Sequence, residues 1–351
     1  MWGFLVSFLL AAVITPAVIA FYKSRDWVDD PKKSSHAKVL HKVAVPRGGG
    51  IVVFLSVFLT SLFFLQIDKY LIGIIIGAFL LAVVGFLDDI FDLHPLWRLL
   101  AGIVAALIVV SVGIGIAYVS NPFTTGVIHL NQPQLVFEFL GKTRTIWILA
   151  DLFALFFILW NMNIVNWSKG VDGQLPGYVA IGAIIIAILS GRFVDDPSTF
   201  NTAHLALIVA GSYTGFLLWN FYPQKIMPGY GAGSLAGYFL TVLAILSGAK
   251  VATTLMILAI PTADAIFTIM RRIRAGKSPL WGDRGHLHHK LIDVLGWGKR
   301  RIAIFYWISS LALGLLSLYL NTVAKMITIM VVVLLVFGFL IWAKLGINKS
   351  K

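Results

Sequence analysis

The stretch LIGIIIGAFLLAVVGFLDD, residues 71–89, decides the fold class, because seventeen apolar or glycine residues run directly into Asp88 and Asp89. A membrane-spanning helix needs roughly 20 apolar residues, and the chain holds about eleven runs near that length. Only 12% of its residues are charged, whereas a soluble domain has about 25%. The sequence therefore predicts an all-α polytopic membrane protein with about 10–11 transmembrane helices. The predicted spans are 2–22, 49–66, 71–87, 99–119, 146–164, 176–190, 203–221, 232–247, 251–270, 302–320 and 326–344.

The distribution of Lys and Arg predicts how the chain is oriented in the membrane. Residues 1–22 carry no charge, and Lys23 and Arg25 come after them. This order is the reverse of that in a cleaved signal peptide, so we expect an uncleaved first helix with an external N-terminus and a cytoplasmic C-terminus. The inner segments then hold 22 of the 28 Lys and Arg residues, as the positive-inside rule requires. This orientation explains the net charge of +13 and indicates no nucleic-acid partner.

The chain is predicted to form a single membrane domain, residues 1–351, because it contains no internal repeat and no low-complexity linker. It has no cysteine, which excludes disulfides and cysteine-ligated metals. On the predicted outer side, the segment 120–145 alternates polar and apolar residues enough to predict a small external hairpin.

Acidic residues are scarce and are concentrated on the predicted inner side. Nine of the fourteen Asp residues fall there, at or between the ends of helices. A transporter places its ionisable residues near the bilayer midplane, so this pattern favours a reaction surface at the membrane boundary. Asp151 and Asp264 lie within predicted helices and leave a lipid-phosphate transporter open as an alternative. The nine are Asp26, Asp29, Asp30, Asp88, Asp89, Asp92, Asp172, Asp283 and Asp293.

Two inner segments combine groups that attract ions. In residues 85–100, Asp88 and Asp89 end an apolar helix, and their mutual repulsion needs a divalent cation, a Lys or Arg, or a raised pKa. In residues 29–50, basic side chains precede three glycines, which let the backbone approach an anionic ligand closely. The alternative for residues 85–100 is a solvated helix end with ordinary aspartates, and the alternative for residues 29–50 is a positive-inside loop that ends in a turn. The basic side chains are Lys32, Lys33, Lys38, Lys42 and Arg47.

Two further inner segments carry histidines and glycines. In residues 270–297, His286, His288 and His289 stand beside Arg284. Imidazoles bind metals or shuttle protons near neutral pH, and beside Arg and Lys they also bind phosphate. In residues 217–240, closely spaced glycines precede a new helix, whose free N–H groups favour phosphate. Glycines also mediate helix packing in membranes, so this last signal is weak alone.

Together these segments and NMNIVNWSKGVDG, residues 161–173, resemble one family, the polyprenyl-phosphate N-acetylhexosamine-1-phosphate transferases. The first loop is similar to D-x-P…H…P-R-x-G-G, and residues 161–173 are similar to N-x-x-N-x-x-D-G-x-D-G. NFYPQKIMPGYGAGS, residues 220–234, resembles N-x-x-P-x-K-x-x-x-G-D-x-G-S with one extra residue. PTAD followed by RRIRAGKSPLWGDRGHLHHKL, residues 261–291, is close to P-x-x-D…R…G-x-S-P…D-R-x-H-x-H-H-x-L. The resemblance is nearer to the branch that uses UDP-N-acetylhexosamines than to the UDP-MurNAc-pentapeptide branch.

The resemblance implies a fold, a reaction and a location. A bundle of about ten or eleven membrane helices would carry its site on the cytoplasmic face of the plasma membrane. A polyprenyl phosphate such as undecaprenyl phosphate would attack the β-phosphate of a UDP-sugar. The products would be polyprenyl-diphospho-sugar and UMP, used in cell-wall or surface-polysaccharide synthesis. Mg²⁺ is the implied cofactor, and homodimers occur in the family.

The resemblance also assigns roles to residues. Asp88, Asp89 and Asp172 would be catalytic and would hold the metal or accept the proton of the lipid phosphate. The other positions would bind substrate, with the three histidines on the sugar nucleotide. They are Lys32, Arg47, Asn163, Asn166, Lys169, Gly173, Asn220, Tyr230, Arg284, His286, His288 and His289.

Two positions depart from the family pattern. Lys169 stands where the family has the first Asp of D-G-x-D-G. Tyr230, or Gly231 if the extra residue is placed earlier, stands where the family has the Asp expected to bind Mg²⁺. Tyr is no carboxylate substitute, since its pKa is about 10. Three interpretations stay open: Lys169 replaces the charge of Mg²⁺, the other aspartates hold ordinary Mg²⁺, or the protein binds lipid phosphate or nucleotide without catalysis.

Overall fold

The computed structural model describes residues 1–32, 41–121, 126–139, 141–192, 197–248, 250–279 and 283–349. Within these ranges the chain forms thirteen helices and six short strands. The helices are α1 (Trp2–Ser24), α2 (Gly49–Phe64), α3 (Lys69–Phe91), α4 (Pro95–Ser111), α5 (Ile148–Trp167), α6 (Gln174–Ser190), α7 (Pro197–Asn220), α8 (Gly229–Leu246), α9 (Lys250–Ile257), α10 (Ala259–Arg274), α11 (Leu287–Leu295), α12 (Lys299–Ser317) and α13 (Thr322–Lys349). The strands are β1 (Val28–Asp29), β2 (Val45–Pro46), β3 (Tyr118–Ser120), β4 (Val127–His129), β5 (Gln134–Phe139) and β6 (Lys142–Trp147).

The helices are those of a polytopic membrane protein, as the sequence predicts. In the described part of the chain, six helices are long and apolar enough to cross a membrane, and the bent pair α9–α10 makes a seventh candidate. Three shorter apolar helices, α2, α4 and α6, pack among them. Each of the eleven predicted spans overlaps a helix or this bent pair. The all-α polytopic fold class is therefore confirmed.

The predicted span at 251–270 is a bent pair of helices, because the helix breaks at Leu258 and α9 and α10 meet at 84°. Pro261 lies in the first turn of α10. Proline has no N–H to continue the ladder from the preceding turn, so a continuous helix is disfavoured there. The carbonyl of Ile257, freed by the break, accepts a hydrogen bond from Ser310 Oγ at 3.0 Å. This bend directs the C-terminal end of α10 toward the functional site described below.

The predicted span at 99–119 is also shorter than expected. Helix α4 ends at Ser111, and Gly113 takes a φ of +98°, which favours glycine. The chain then enters two antiparallel hairpins, β3–β4 and β5–β6, the second in register from Gln134 opposite Trp147. The hairpin predicted within 120–145 is therefore present, apart from residues 122–125 and 140, which lie outside the described ranges.

Three glycines bring α2, α3 and α8 into backbone contact beside the site. Gly231 of α8 lies between Gly50 of α2 and Gly85 of α3, and a Cβ on Gly231 would stand 2.9 Å from the Gly50 Cα. A Cβ on Gly50 would be as close to Gly231, and one on Gly85 closer still. Small residues permit this approach between membrane helices. The contact places the end of α3, with its two aspartates, beside the start of α8.

Gly231→Ala is expected to destabilise the protein, because its Cβ would force apart the backbones of α2 and α8. Overpacking a core costs about 1–3 kcal/mol, so the thermal unfolding midpoint of the detergent-solubilised protein should fall by several degrees. Gly338→Ala is the matched control, since a Cβ at that position in α13 meets nothing within 4 Å. Equal midpoints for the two variants would contradict the close packing.

Candidate functional site

The motif-bearing segments meet at one end of the bundle. Met227, before α8, donates its N–H to the Pro46 carbonyl at 2.7 Å and accepts from Gly49 N at 3.2 Å. The loop after α5 contacts the histidine segment, because Gly170 lies directly against the His288 ring. A side chain at Gly170 would displace that imidazole. The structure therefore brings together segments that are up to 240 residues apart in sequence.

Asp88 lies at the end of α3, only 3% exposed. Its Oδ1 is 2.6 Å from Arg98 Nε, in the first turn of α4, and accepts from the Leu93 N–H at 3.1 Å. Arg98 also binds the exposed Asp92 at 2.9 Å. Of the three ways in which the aspartate pair could be compensated, the structure therefore supplies an arginine to Asp88.

Asp89 is arranged differently from its neighbour. Its Oδ2 accepts a hydrogen bond from the Tyr22 hydroxyl at 3.1 Å. Its Oδ1 is buried and has no hydrogen-bond partner among the described residues. This oxygen lies against Gly229, whose φ of +63° exposes its backbone to the carboxylate. Asp89 Oδ1 is therefore available to accept a proton or to face a cation.

Lys169 connects the loop after α5 to the start of α8. Its Nζ donates to Asn166 Oδ1 at 2.7 Å and to the Gly229 carbonyl oxygen. Burial lowers the pKa of Lys169 to about 7, against the opposing attraction of the Asp88 and Asp89 carboxylates. The lysine that departs from the family pattern thus lies in the electrostatic field of both aspartates.

Asp172 and Gly173 are held by residues from three other segments. Asp172 is 2.8 Å from Lys299 Nζ at the start of α12, and its other oxygen accepts from Gln224 N at 3.2 Å. Gly173 donates its N–H to Asn220 Oδ1 at 3.0 Å and accepts from Trp307 Nε1 at 3.0 Å. These contacts fix the conformation of the loop that carries Asp172.

Tyr230 is one of the two residues, with Gly231, that can align with the family Asp of G-D-x-G-S. Its hydroxyl donates to the Arg98 carbonyl at 2.7 Å, and its ring centroid is 5.9 Å from the Arg98 guanidinium carbon. Gly231 has no space for any side chain, because it lies against two neighbouring glycines. The packing therefore favours Tyr230 as the position equivalent to the family carboxylate.

The three histidines lie at the start of α11. His286 is 2.9 Å from Asp264 Oδ2 and 3.3 Å from Arg272, whereas His288 and His289 each keep a buried Nδ1 without a partner among the described residues. Burial lowers the pKa of His289 to about 4 and that of His288 well below its usual value. Neighbouring imidazoles and Arg284 add to both shifts. His288 and His289 are thus neutral at pH 7 and suit uncharged polar groups better than phosphate.

The remaining predicted residues are less central. Arg47 binds Asp29 at 2.6 Å and reaches Asp92 at 3.8 Å. Lys32 is exposed, and its backbone N–H donates a hydrogen bond to Asp30 Oδ1. Asn163 donates to the Leu159 carbonyl of its own helix, and Arg284 pairs with Asp293 at 2.8 Å. The predicted residues Lys33 and Lys38 lie outside the described ranges.

Asp151 and Asp264, the two acids that kept a transporter as an alternative, both accept hydrogen bonds from backbone N–H groups. Asp151 accepts from the Trp147 N–H in the first turn of α5. Asp264 accepts from the Leu287 N–H at 2.8 Å, which starts α11, and also contacts His286. Neither is left unpaired within the bundle, so neither supports a transport path.

The donor set can be tested against the Mg²⁺ that the resemblance implies. Mg²⁺ prefers oxygen ligands in near-octahedral geometry. Asp88 and Asp172 already pair with Arg98 and Lys299, and no three His, Cys, Asp or Glu side chains of the described residues form a ligand group. These side chains therefore do not fit a metal site held by the protein alone. Arg98 and Lys169 supply positive charge beside the aspartates.

Sequence reasoning did not identify three residues that complete the site. They are Tyr22, which donates a hydrogen bond to Asp89, and Arg98 and Lys299, which form ion pairs with Asp88 and Asp172. Lys299 and Arg98 entered the sequence argument only as positive charges on the inner side, and Tyr22 only as part of the first helix. The one available signal was that each lies at the inner end of a predicted span.

Buried cations and carboxylates at the end of a membrane helix bundle are suited to a membrane protein that binds anionic groups. The sequence profile of glycosyl transferase family 4 matches residues 71–248, about half of the chain. The chain belongs to glycosyl transferase family 4, a family of transferase enzymes.

Named relatives align along most of the chain. A probable undecaprenyl-phosphate N-acetylglucosaminyl 1-phosphate transferase of Bacillus subtilis is 29% identical over 99% of this chain and 93% of its own length. A decaprenyl-phosphate N-acetylglucosaminephosphotransferase of Mycolicibacterium smegmatis is 26% identical over 79% of this chain and 73% of its own. A phospho-N-acetylmuramoyl-pentapeptide-transferase of Bacillus licheniformis is 28% identical over 91% and 95%. All three names describe transfer of a phosphorylated sugar unit.

Lys299→Met is expected to destabilise the protein strongly, because Asp172 would remain buried without its cation. Removing one partner of a buried ion pair costs about 3–5 kcal/mol. Arg300→Met, an exposed change one residue away, should shift the thermal unfolding midpoint much less. The double variant Lys299→Met with Asp172→Asn should recover part of the loss. If Lys299→Met unfolds like Arg300→Met, the ion pair does not hold the loop.

Proposed function

We propose that this protein transfers an N-acetylhexosamine 1-phosphate from a UDP-sugar to a polyprenyl phosphate, in cell-wall or surface-polysaccharide synthesis. The observation that carries the proposal is the juxtaposition of Asp89, whose Oδ1 has no described partner, with Lys169 at the end of membrane helices. Both substrates are anions, so their approach requires fixed positive charge, and catalysis is mostly positioning and charge stabilisation. The names of the relatives support the same reaction.

In the proposed reaction a phosphate oxygen of the lipid attacks the β-phosphorus of the UDP-sugar. The bond from that phosphorus to the bridging oxygen breaks, and UMP leaves with this oxygen. Asp89 Oδ1 accepts the proton of the lipid phosphate, and Lys169 with Arg98 offsets the charge of the diphosphate. Asp88 and Asp172 keep Arg98 and the loop in place. His288 and His289, being neutral, contact the polar groups of the sugar or the uridine.

The proposed setting follows from the distribution of charge. We place the site on the cytoplasmic face of the plasma membrane, with the N-terminus outside, because the inner segments hold most of the Lys and Arg residues. Residues 1–351 would form a single domain. A homodimer remains a prediction from the family resemblance alone.

Asp89→Asn is the variant that tests the chemistry. It removes the proton acceptor while keeping the shape and the Tyr22 contact, so release of UMP from UDP-N-acetylglucosamine and undecaprenyl phosphate should fall by about 10²–10⁴-fold. Asp30→Asn, the same substitution in the loop after α1, should retain near wild-type turnover. Wild-type turnover in Asp89→Asn would refute its role. Absence of UMP with every UDP-sugar in the wild-type protein would refute the proposed function.

We also propose that Lys169 supplies charge that a divalent cation supplies in relatives with Asp at this position. The support is that Lys169 bonds to the Gly229 carbonyl, one residue before Tyr230, so both departures from the family pattern adjoin one another. Turnover of the wild-type protein should therefore persist in excess chelator. Lys169→Met should lose affinity for UDP, measured by titration calorimetry, because the diphosphate charge would be uncompensated.

The double variant Lys169→Asp with Tyr230→Asp should acquire a divalent-cation site, because it adds two carboxylates near Asp88. Binding of Mn²⁺, followed by electron paramagnetic resonance, gives a readout that does not depend on turnover. Each single variant should bind Mn²⁺ more weakly than the double variant, which makes the effects non-additive. Complete loss of wild-type turnover in chelator, together with tight Mn²⁺ binding by the wild-type protein, would contradict the substitution by Lys169.

A further inference from the structure

A cavity of about 270 Å³ lies where α10, α11 and α13 meet. A single ordered water needs only about 10–15 Å³ measured in the same way, so the cavity can hold a polar group of several heavy atoms. Its lining contains none of Asp88, Asp89, Lys169, His288 and His289, to which the proposed reaction assigns roles. Arg284, which the resemblance predicts to bind substrate, is in the lining and pairs with Asp293. The lining residues are Phe267, Arg271, Asp283, Arg284, Gly285, Lys290, Leu340 and Lys344.

The lining is strongly cationic. It contains four basic side chains and a single carboxylate, that of Asp283. Arg271 binds both Asp283 oxygens, at 2.7 and 2.9 Å, and Arg284 pairs with Asp293 outside the lining. Lys290 and Lys344 form no ion pair with any carboxylate of the described residues. Lys290 is close enough to Asp293 to help lower the pKa of that carboxyl, but the four basic side chains of the lining still outnumber its single carboxylate, which favours an anionic ligand.

Arg271 gives a second indication that a ligand belongs here. Its Nε is buried and has no acceptor in the described part of the chain, although a buried N–H without an acceptor costs about 1–3 kcal/mol. The guanidinium lies directly against Gly285, where any side chain would displace it. The arginine is therefore held in one place with a donor unused, as suits a site completed by an acceptor such as phosphate.

The position of the cavity indicates the source of the anion. Helix α13 is the least buried of the six candidate spans. Ile341, Trp342 and Leu345, which surround Lys344 in sequence, are exposed at the end of that span. Exposed apolar side chains on a membrane span contact acyl chains, and tryptophan favours the membrane surface. Lys344 and the cavity thus lie at the depth of lipid phosphates, and basic pockets between membrane helices bind anionic head groups.

We propose that this cavity binds the phosphate of an anionic membrane lipid. The apolar walls formed by Phe267 and Leu340 suit the glycerol or prenyl carbons next to that phosphate. The bound phosphate accepts hydrogen bonds from the two lysines and is attracted by the partly exposed Arg271 guanidinium. Because Asp283 and Gly285 immediately precede α11, the lipid also holds in place the segment that presents His288 to the loop after α5.

The test uses the full-length protein in nanodiscs of phosphatidylcholine with a minor fraction of phosphatidylglycerol, and measures retained lipid by native mass spectrometry. Lys290→Gln with Lys344→Gln should retain phosphatidylglycerol about tenfold less than the wild-type protein, since each lysine near a membrane surface contributes to anion attraction. Lys23→Gln with Lys277→Gln is the matched control, because it removes the same two charges from exposed residues outside the cavity.

A second arm distinguishes the two lipid sources that share phosphate chemistry. Undecaprenyl phosphate is added at the same mole fraction as phosphatidylglycerol. Preferential retention of the prenyl lipid, lost in the double variant, assigns the cavity to the substrate lipid, and preferential retention of phosphatidylglycerol assigns it to a structural phospholipid. The proposal is overturned if the double variant retains each of the two lipids as well as the wild-type protein does. No UDP-sugar is present, so the outcome does not depend on the proposed transferase reaction.

Discussion

The hydrogen bond from Lys169 Nζ to the Gly229 carbonyl oxygen joins the loop after α5 to the start of α8, and the candidate site is built around it. Two residues further along, Gly231 lets α8 approach α2 and α3 at backbone distance. That approach sets Asp89 Oδ1 against Gly229. A larger residue at the helix contact would separate the lysine from the aspartates. The glycines thus affect the charged site through packing alone.

The charges around this contact are organised in pairs. Asp88 with Arg98, Asp172 with Lys299 and Asp29 with Arg47 each combine opposite charges. Such pairs contribute little net stability when buried, but they hold charged groups in fixed positions, which is what electrostatic catalysis requires. What remains outside the pairs is the unpartnered oxygen of Asp89 and the ammonium of Lys169. The pairing thus leaves one acid–base group and one cation for a ligand.

The sequence predicts the positions of the helices but not the long-range contacts between side chains. Apolar length sets where a chain crosses the membrane, so each predicted span overlaps a helix or the bent pair. The structure departs from a continuous helix at 251–270, near Pro261, and ends the helix early at 99–119, near Gly113. In both places the apolar composition continues although the helix does not. Tyr22 on Asp89 and Lys299 on Asp172 join residues 67 and 127 positions apart. Such contacts depend on packing, and neither periodicity nor charge counting contains that information.

The bend at Leu258 completes the site from the opposite side. Because α10 turns there, Asp264 reaches the first N–H of α11 and the ring of His286. His288 is thereby placed against Gly170 in the loop that also carries Lys169. Burial keeps His288 neutral, so the two walls differ in charge. One offers cations to phosphate, and the other offers uncharged donors and acceptors to a sugar or a base. A sugar nucleotide, with one charged and two neutral parts, matches that division better than a simple phosphate does.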